Sequence, residues 1–326
     1  MMDFDISIII ASVIAGATPL VLAAIGETLT EKSGLINLSL DGSILLAAMA
    51  AFVAALKLES LLAGFVAGAL VGAAVAAVVA MFGVFLGQNQ VAVGFVMTLM
   101  TRDLAYFIGN PYSRIQGFHT APMPVPLLEQ LPFVGVVFFN HHLPVYLSIV
   151  LTGACWWYIY RTSPGLQLQA VGENPKAAHA RGIDPRRVQL LYAVCGGVLV
   201  GLAGAAFSLF TKPGWGRPQG AEGIGWIALA LVIFGGWHPV KAAAGAYLFS
   251  FLQVLGIFLQ EWFPSIPSQV FQVAPFPLMI FTLLIMSFGQ NPAILRRAEK
   301  RKWAMQLLRF FPSLAPAALG RPYRPG

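Results

Sequence analysis

The chain has 326 residues, 58% of them hydrophobic and 10% charged, with a formal net charge of +7. Soluble domains carry about 25% charged residues, and from Ser60 through Thr101 there is no Asp, Glu, Lys or Arg at all, a length sufficient for two bilayer crossings of roughly 20 apolar residues each. The positive charge therefore reads as a membrane-topology signal rather than as a nucleic-acid surface, because the basic residues cluster between and after the apolar runs.

Taken in order, apolar spans are legible at 6–25, 43–56, 61–86, 91–108, 144–160, 188–210, 224–234, 240–259 and 270–288. The fold class is all-α: a polytopic transmembrane bundle of about nine spans (eight to ten). Residues 1–289 form the membrane domain and 290–326 a basic tail. Cys155 and Cys195 both lie within apolar runs and read as small buried hydrophobes. The start, MMDFDISIII, lacks the basic flank of a signal peptide.

Between the first two spans, Glu27–Gly42 is only moderately polar, so it partly re-enters the membrane. Asn37 and Asp41 lie in it. They are read either as pathway residues at a broken helix or as local caps, as are Asn89, Gln90 and Thr98 near the start of the fourth span. Gly64, Gly68 and Gly72, and then Gly197, Gly201 and Gly204, recur at spacings that let helix backbones approach closely in lipid. Arg102 and Asp103 fall late in the fourth span. Adjacent residues do not face each other on a helix, so they either line the path or snorkel to the outer surface. Within the spans only Asp103 offers a carboxylate, which weakens an ion-coupled secondary transporter as the competing class.

The loop 110–143 is rich in proline and reads as an ordered cap over the outer mouth or as a plain connector. His141-His142 has no acidic or cysteine neighbour and reads as an exposed loop pair. Trp156, Trp157, Trp215, Trp226 and Trp262 sit at span ends, as interfacial anchors do, and Glu222 is a cap or an outer-gate residue. No catalytic constellation appears, so a membrane-embedded enzyme has nothing to act with.

The segment 162–189 is too polar to span and too patterned for a random connector. Asn174 can cap a helix that starts at Pro175; Lys176–Arg181 makes a short helix and Gly182 stops it. A second start follows at Asp184-Pro185. Arg161, Lys176, Arg181, Arg186 and Arg187 make this loop basic, and Arg296, Arg297, Lys300, Arg301, Lys302 and Arg309 do the same for the tail. Both are expected in the cytoplasm, and the four spans between them keep the two assignments consistent. The tail opens as a basic amphipathic helix and ends in FFPSLAPAALGRPYRPG, read as disordered or surface-bound.

The string from Ala170 through Gly172, Glu173, Asn174 and Pro175, with Ala177, Ala178 and Gly182-Ile183, resembles the coupling loop of bacterial ABC importer permeases of the branched-chain amino acid, ribose and nucleoside group. Glu31–Gly42 is similar to that family's N-terminal signature, with Ser39 where a Gly is usual and Asp41 where a Glu is usual. Asn89–Gly94 and Gly223–Pro239 agree with two further motifs. Within the group the chain is most similar to the shorter permease of nucleoside-type importers.

That resemblance implies a bacterial inner-membrane location with a cytoplasmic C-terminus and no cofactor in this subunit. ATP and Mg belong to a partner ATPase, since the chain has no G-x-x-x-x-G-K-[ST] of its own. It implies three more partners: a second, longer permease in a heterodimer, an extracytoplasmic solute-binding lipoprotein, and a small polar solute. It also implies that Gly172, Glu173, Asn174, Pro175, Lys176, Ala177, Ala178, Arg181 and Gly182 pass force from ATPase to spans. The favoured solute is a nucleoside, with a simple sugar or branched-chain amino acid as the alternative.

Overall fold

The computed structural model describes residues 6–263, the single positions 270, 277 and 280, then 315–321 and 323. Among them are ten α-helices: α1 (Ile6–Lys32), α2 (Leu40–Leu58), α3 (Leu61–Ala80), α4 (Gln90–Gly109), α5 (Leu143–Arg161), α6 (Ser163–Glu173), α7 (Pro175–Ala180), α8 (Pro185–Ala206), α9 (Ile224–Phe234) and α10 (Pro239–Trp262). π-helical turns lengthen α3 to Phe85 and α8 to Thr211. Seven of these segments are long and apolar enough to cross a membrane, and α9 is a shorter apolar helix. The expected ninth span, 270–288, lies largely outside the described residues, as does most of the basic tail.

Small residues set the packing. α8 is the central post, flanked by α1 and α3, with α2 against both α3 and α8. The glycines legible in the sequence are the seam: a methyl placed on Gly72 would overlap the Gly197 carbonyl, and one on Gly201 would overlap that of Gly68. In lipid there is no hydrophobic drive between helices, so this backbone proximity and the interhelical hydrogen bonds hold the bundle. Ser208 Oγ on the α8 extension donates to the Ala48 carbonyl of α2 at 2.8 Å, and Ser250 Oγ on α10 donates to the Val13 carbonyl of α1 at 2.8 Å. Pro19 sits inside α1, where neighbouring helices cover it.

Two elements depart from a simple set of crossings. α1 does not stop near Ile25 but continues to Lys32, which places Glu27 and Glu31 inside the bundle, both buried. The segment 33–39 then climbs without helix. Ser33 is level with Gln189 of α8, whose Nε2 donates to its carbonyl at 3.1 Å. Ile44 of α2 is level with Gly204. Those fifteen residues of α8 measure roughly 22 Å at 1.5 Å per residue, so α2 begins about halfway through a hydrocarbon core of roughly 30 Å. The re-entry expected for Glu27–Gly42 is thus present, shortened to 33–39.

α9 is the second break. Its eleven residues are roughly 16 Å long, half a crossing. Its first turn meets Asp41 at the foot of α2. Just beyond its last turn, Trp237 Nε1 donates to Glu31 Oε2 at 2.5 Å near the end of α1. The chain thus returns from the far end of the α8 extension through 212–223 to the middle of the bundle and finishes the crossing as α9.

Candidate functional site

Two helix N-termini, those of α2 and α9, therefore meet at mid-depth. Helix N-termini carry unpaired N–H groups and the positive end of the macrodipole, and Asp41 answers both needs for α9. Its Oδ1 accepts from Gly223 N at 2.7 Å and from Gly225 N at 3.2 Å. Asp41 is thus a cap, but for a helix 182 positions away in sequence rather than for its own. α4 closes one side of the junction: Thr98 Oγ1 donates to the Leu38 carbonyl at 2.6 Å, and Gly94 lies against Leu38.

The remaining side is open. Phe95 on α4 and Trp226 on α9 stand with ring centroids 6.4 Å apart, both exposed, beside this junction. Trp226 is therefore not an interfacial anchor at a span end. Further along α4, Leu99, Met100, Arg102, Asp103 and Phe107 are also exposed. Arg102 is close enough to Asp41 and Tyr106 to act on both electrostatically. A cavity of about 810 Å³ bounded by Asp103, Tyr106, Phe107, Asn110 and Arg217 continues this face outward. Its lining is mixed: Ile108 and Pro111 complete it, so apolar groups stand beside the charged and amide side chains.

Its wall is fixed by a cluster that sequence reading left undecided. Glu222 accepts the Tyr106 hydroxyl and the backbone N–H groups of Gln219 and Gly220. Arg217 lies over the Tyr106 ring at 4.9 Å, and the ring of buried Trp215 has its centroid 5.7 Å from that of the tyrosine. Glu222 thus fastens the descending 212–223 segment to α4. His141 and His142 are not a free exposed pair either: His141 Nε2 contacts the Val137 carbonyl at 2.8 Å, and His142 Nδ1 contacts Thr120 Oγ1 at 3.0 Å.

Other candidates from the sequence fall elsewhere. Asn37 is buried and organises its own turn, its Oδ1 accepting from Ser39 N and Ser39 Oγ. Asn89 is an exposed local cap, accepting from Ala92 N at 3.1 Å. Gln90 is buried; its Oε1 accepts from Ile36 N at 2.9 Å, fixing the foot of the re-entrant segment. Asp103 is exposed, so it is not the buried intramembrane carboxylate; Glu27 and Glu31 are, and among the described residues neither Glu27 oxygen has a hydrogen-bond partner. They were missed because the polar run after Ile25 reads as a loop.

The second part of the site lies at the end of the bundle where α1 finishes and α8 begins. Asn174 Oδ1 accepts from Ala177 N at 3.0 Å and starts α7. Gly182, at φ +84°, ends the turn that follows it. Ala178 is buried, whereas Lys176, Ala177, His179 and Arg181 project outward. α6, capped by Thr162 accepting from Gly165 N at 3.2 Å, was not foreseen. It lies between α5 and α7, and its end, Gly172, sits so close to Lys32 that a methyl there would overlap the Lys32 carbonyl. Nearby, burial first and then Lys241 and Lys32 hold the His238 imidazole below its usual range.

Comparison with known proteins gives the family. Residues 9–284 match the model described as branched-chain amino acid transport system / permease component. A Haloferax volcanii protein with the provisional name glucose ABC transporter permease is 36% identical over 258 residues, 78% of each chain. The nucleoside ABC transporter permease of Lactococcus lactis is 29% identical over 308 residues, covering 90% of this chain and 96% of its own. The guanosine ABC transporter permease of Bacillus subtilis is 30% identical over 297 residues, covering 85% and 91%. No solved structure gives a significant match. The chain belongs to the branched-chain amino acid transport permease family: it is a multi-pass, non-catalytic membrane subunit of an ABC transport system.

Proposed function

As a member of that family, we propose, this chain is the nucleoside-conducting permease of an ATP-driven importer in the inner membrane, working by alternating access. Residues 1–289 form the membrane domain and 290–326 the basic tail, with α7 and the C-terminus in the cytoplasm. One observation carries this reading. A short capped helix, with an outward-facing basic surface, stands at the foot of α1 and α8, and the re-entrant segment leads from there to the mid-depth junction of two broken helices.

The mechanism follows from that layout. α7 seats in a partner ATPase, which binds ATP and Mg. Closure of the ATPase displaces α7 together with the foot of α1. The segment 33–39 carries the displacement to Asp41, where the α2 and α9 N-termini bound the path. The exposed α4 face is completed by a second, longer permease, and a solute-binding lipoprotein delivers to the 110–143 side. Glu173, Lys176 and Arg181 are the surface contacts with the ATPase; Gly172 and Ala178 give α7 its seat.

Nucleosides are favoured by the two relatives named for them that span nearly the whole chain, and by Phe95 and Trp226 beside the junction, which offer faces to a base. The relative named for glucose, more similar in sequence, favours a sugar as the second reading. Uptake into proteoliposomes holding the full complex decides between them. Labelled nucleoside uptake should be ATP-dependent and competed by unlabelled nucleosides. Competition by glucose alone would leave the permease and remove the nucleoside. Replacing Glu173–Ala178 should leave the chain folded and stop ATP-driven uptake.

A further inference from the structure

The described part of the C-terminal tail does not hang free. Ala318 N donates to the Gly172 carbonyl at 2.9 Å, Gly320 N to the Gly34 carbonyl at 3.0 Å, and Ala317 N to Glu173 Oε2 at 3.3 Å. The segment is folded on itself by Leu319 N to the Pro316 carbonyl and Arg321 N to the Ala318 carbonyl, both 3.0 Å. Ala318 and Tyr323 are buried, and the Tyr323 ring lies 5.5 Å from that of His179 on α7. Leu319 packs on the cluster that contains Trp237. Gly320 is the tightest point: its φ is +73°, and a side chain there would come within 2.7 Å of the Ile36 side chain. The left-handed conformation and this close approach both call for glycine.

The three anchor points are distinct. Gly172 and Glu173 end α6, His179 is on α7, and Gly34 and Ile36 open the re-entrant segment that rises to Asp41. The tail thus bridges the lever and the segment 33–39 that leads to the mid-depth junction. Backbone hydrogen bonds resist separation of the groups they join, whereas Gly172 meets Lys32 and Gly34 through van der Waals contact.

We propose that residues 315–321 together with Tyr323 are a coupling clasp, positioning residues that fasten α7 to the segment 33–39 so that displacement of α7 is delivered to the mid-depth junction. This rests on the reading of α7 as the ATPase lever. Loss of the clasp lets the lever move while the junction lags, so ATP is hydrolysed without transport.

The test uses the complete transporter in proteoliposomes, reading solute taken up per ATP hydrolysed and co-purification of the ATPase. Deletion of residues 315–326, and separately Gly320→Val, should lower uptake per ATP at least fivefold. Hydrolysis and co-purification should stay within twofold of the parent. Unchanged uptake per ATP in the deletion overturns the clasp, and so does loss of ATPase co-purification, which would make the tail a docking element instead.

In a third variant, His179→Cys with Tyr323→Cys and the native cysteines replaced, a short bifunctional thiol reagent should join the two positions. Uptake should be equal before and after linkage, since a clasp stays shut through the cycle. Absence of linkage, or uptake blocked by it, counts against the proposal. The Glu173–Ala178 replacement separates the two ideas. If it leaves ATP-driven uptake unchanged, the lever reading fails and the clasp with it. If it uncouples but the tail deletion does not, only the clasp fails.

Discussion

The α3–α8 seam and the α4 face are built from opposite materials. At the seam, glycines at four-residue spacing bring backbone against backbone, and α8 also touches α1 so closely that a methyl on Gly26 would lie 2.6 Å from the Gly196 carbonyl. On α4, large side chains such as Phe95, Val96, Leu99 and Phe107 stand exposed, with Arg102 and Asp103 among them. Packed interiors respond to added volume in discrete steps rather than by gradual yielding. The seam is therefore the rigid body of the subunit, and the α4 face is the surface that we propose is left for a partner subunit and a solute. The broken helices α2 and α9 lie at the border between the two, where a rigid body can turn on an open face.

The largest effect should come from violating the seam. Gly201→Val puts branched volume into the Gly68 carbonyl, with backbone and not a flexible side chain in the way. Overpacking costs 1–3 kcal/mol and occasionally more; with backbone as the obstacle, about 3 kcal/mol or more is expected. The measurement is thermal unfolding of the detergent-solubilised chain, with the amount of monodisperse protein recovered. Val96→Ala, on the open face, should leave both unchanged. Equal tolerance at the two positions would erase the distinction between seam and face.

Next comes the border. Asp41→Ala leaves the N–H groups of Gly223 and Gly225 unanswered in a buried place. Hydrogen bonds to charged groups contribute about 1.5–3 kcal/mol, so a stability loss of that order should accompany a fall in uptake of tenfold or more. Asp41→Asn keeps an acceptor oxygen and should recover part of both. A variant with normal uptake would detach the junction from transport.

Much of this layout was legible in the chain, and what was not shares a cause. The glycine seam was legible because close packing demands small residues at helical spacing, a local pattern. α7 was legible because Asn174, Pro175 and Gly182 are local start and stop signals, and its cap is where they place it. Asp41 was recognised as a capping residue type, but its partners lie on α9, and no local pattern reveals a cap delivered across 182 residues. α1 was cut short because Glu27, Thr28, Thr30 and Glu31 read as loop, whereas all four lie buried in a continuing helix: Thr28 Oγ1 donates to the Ala24 carbonyl at 2.7 Å and Glu31 accepts from Trp237. The tail's docking depends on backbone groups of Gly34 and Gly172, which carry no side-chain signature at all.

A moderate effect is expected at the lever. Asn174→Ala removes the side chain that accepts from Ala177 N at the start of a helix of only six residues. N-cap removal costs about 1 kcal/mol, and an isolated helix this short has little else to hold it. Uptake should fall several-fold, while thermal unfolding of the bundle, which is set by the seam, should barely move. Asn174→Asp, which keeps a capping oxygen, should restore uptake. A large drop in melting temperature would show that α7 belongs to the rigid body instead.

The smallest stability change, and the sharpest reading of the open face, is expected at Arg102. Its side chain is exposed, and surface substitutions usually stay within about 0.5 kcal/mol, so Arg102→Ala should unfold as the parent does. Its charge nevertheless acts on Asp41 and Tyr106, the groups that hold α9 and the 212–223 segment. Removing that charge alters the field along the proposed path without touching the packing. Uptake should fall two- to threefold, and Arg102→Lys should recover it, because the position supplies a charge and not a two-toothed hydrogen-bond fork. If Arg102→Ala also lost the second permease on purification, Arg102 would belong to the subunit interface, and the path would narrow to Phe95, Trp226 and the Asp41 junction.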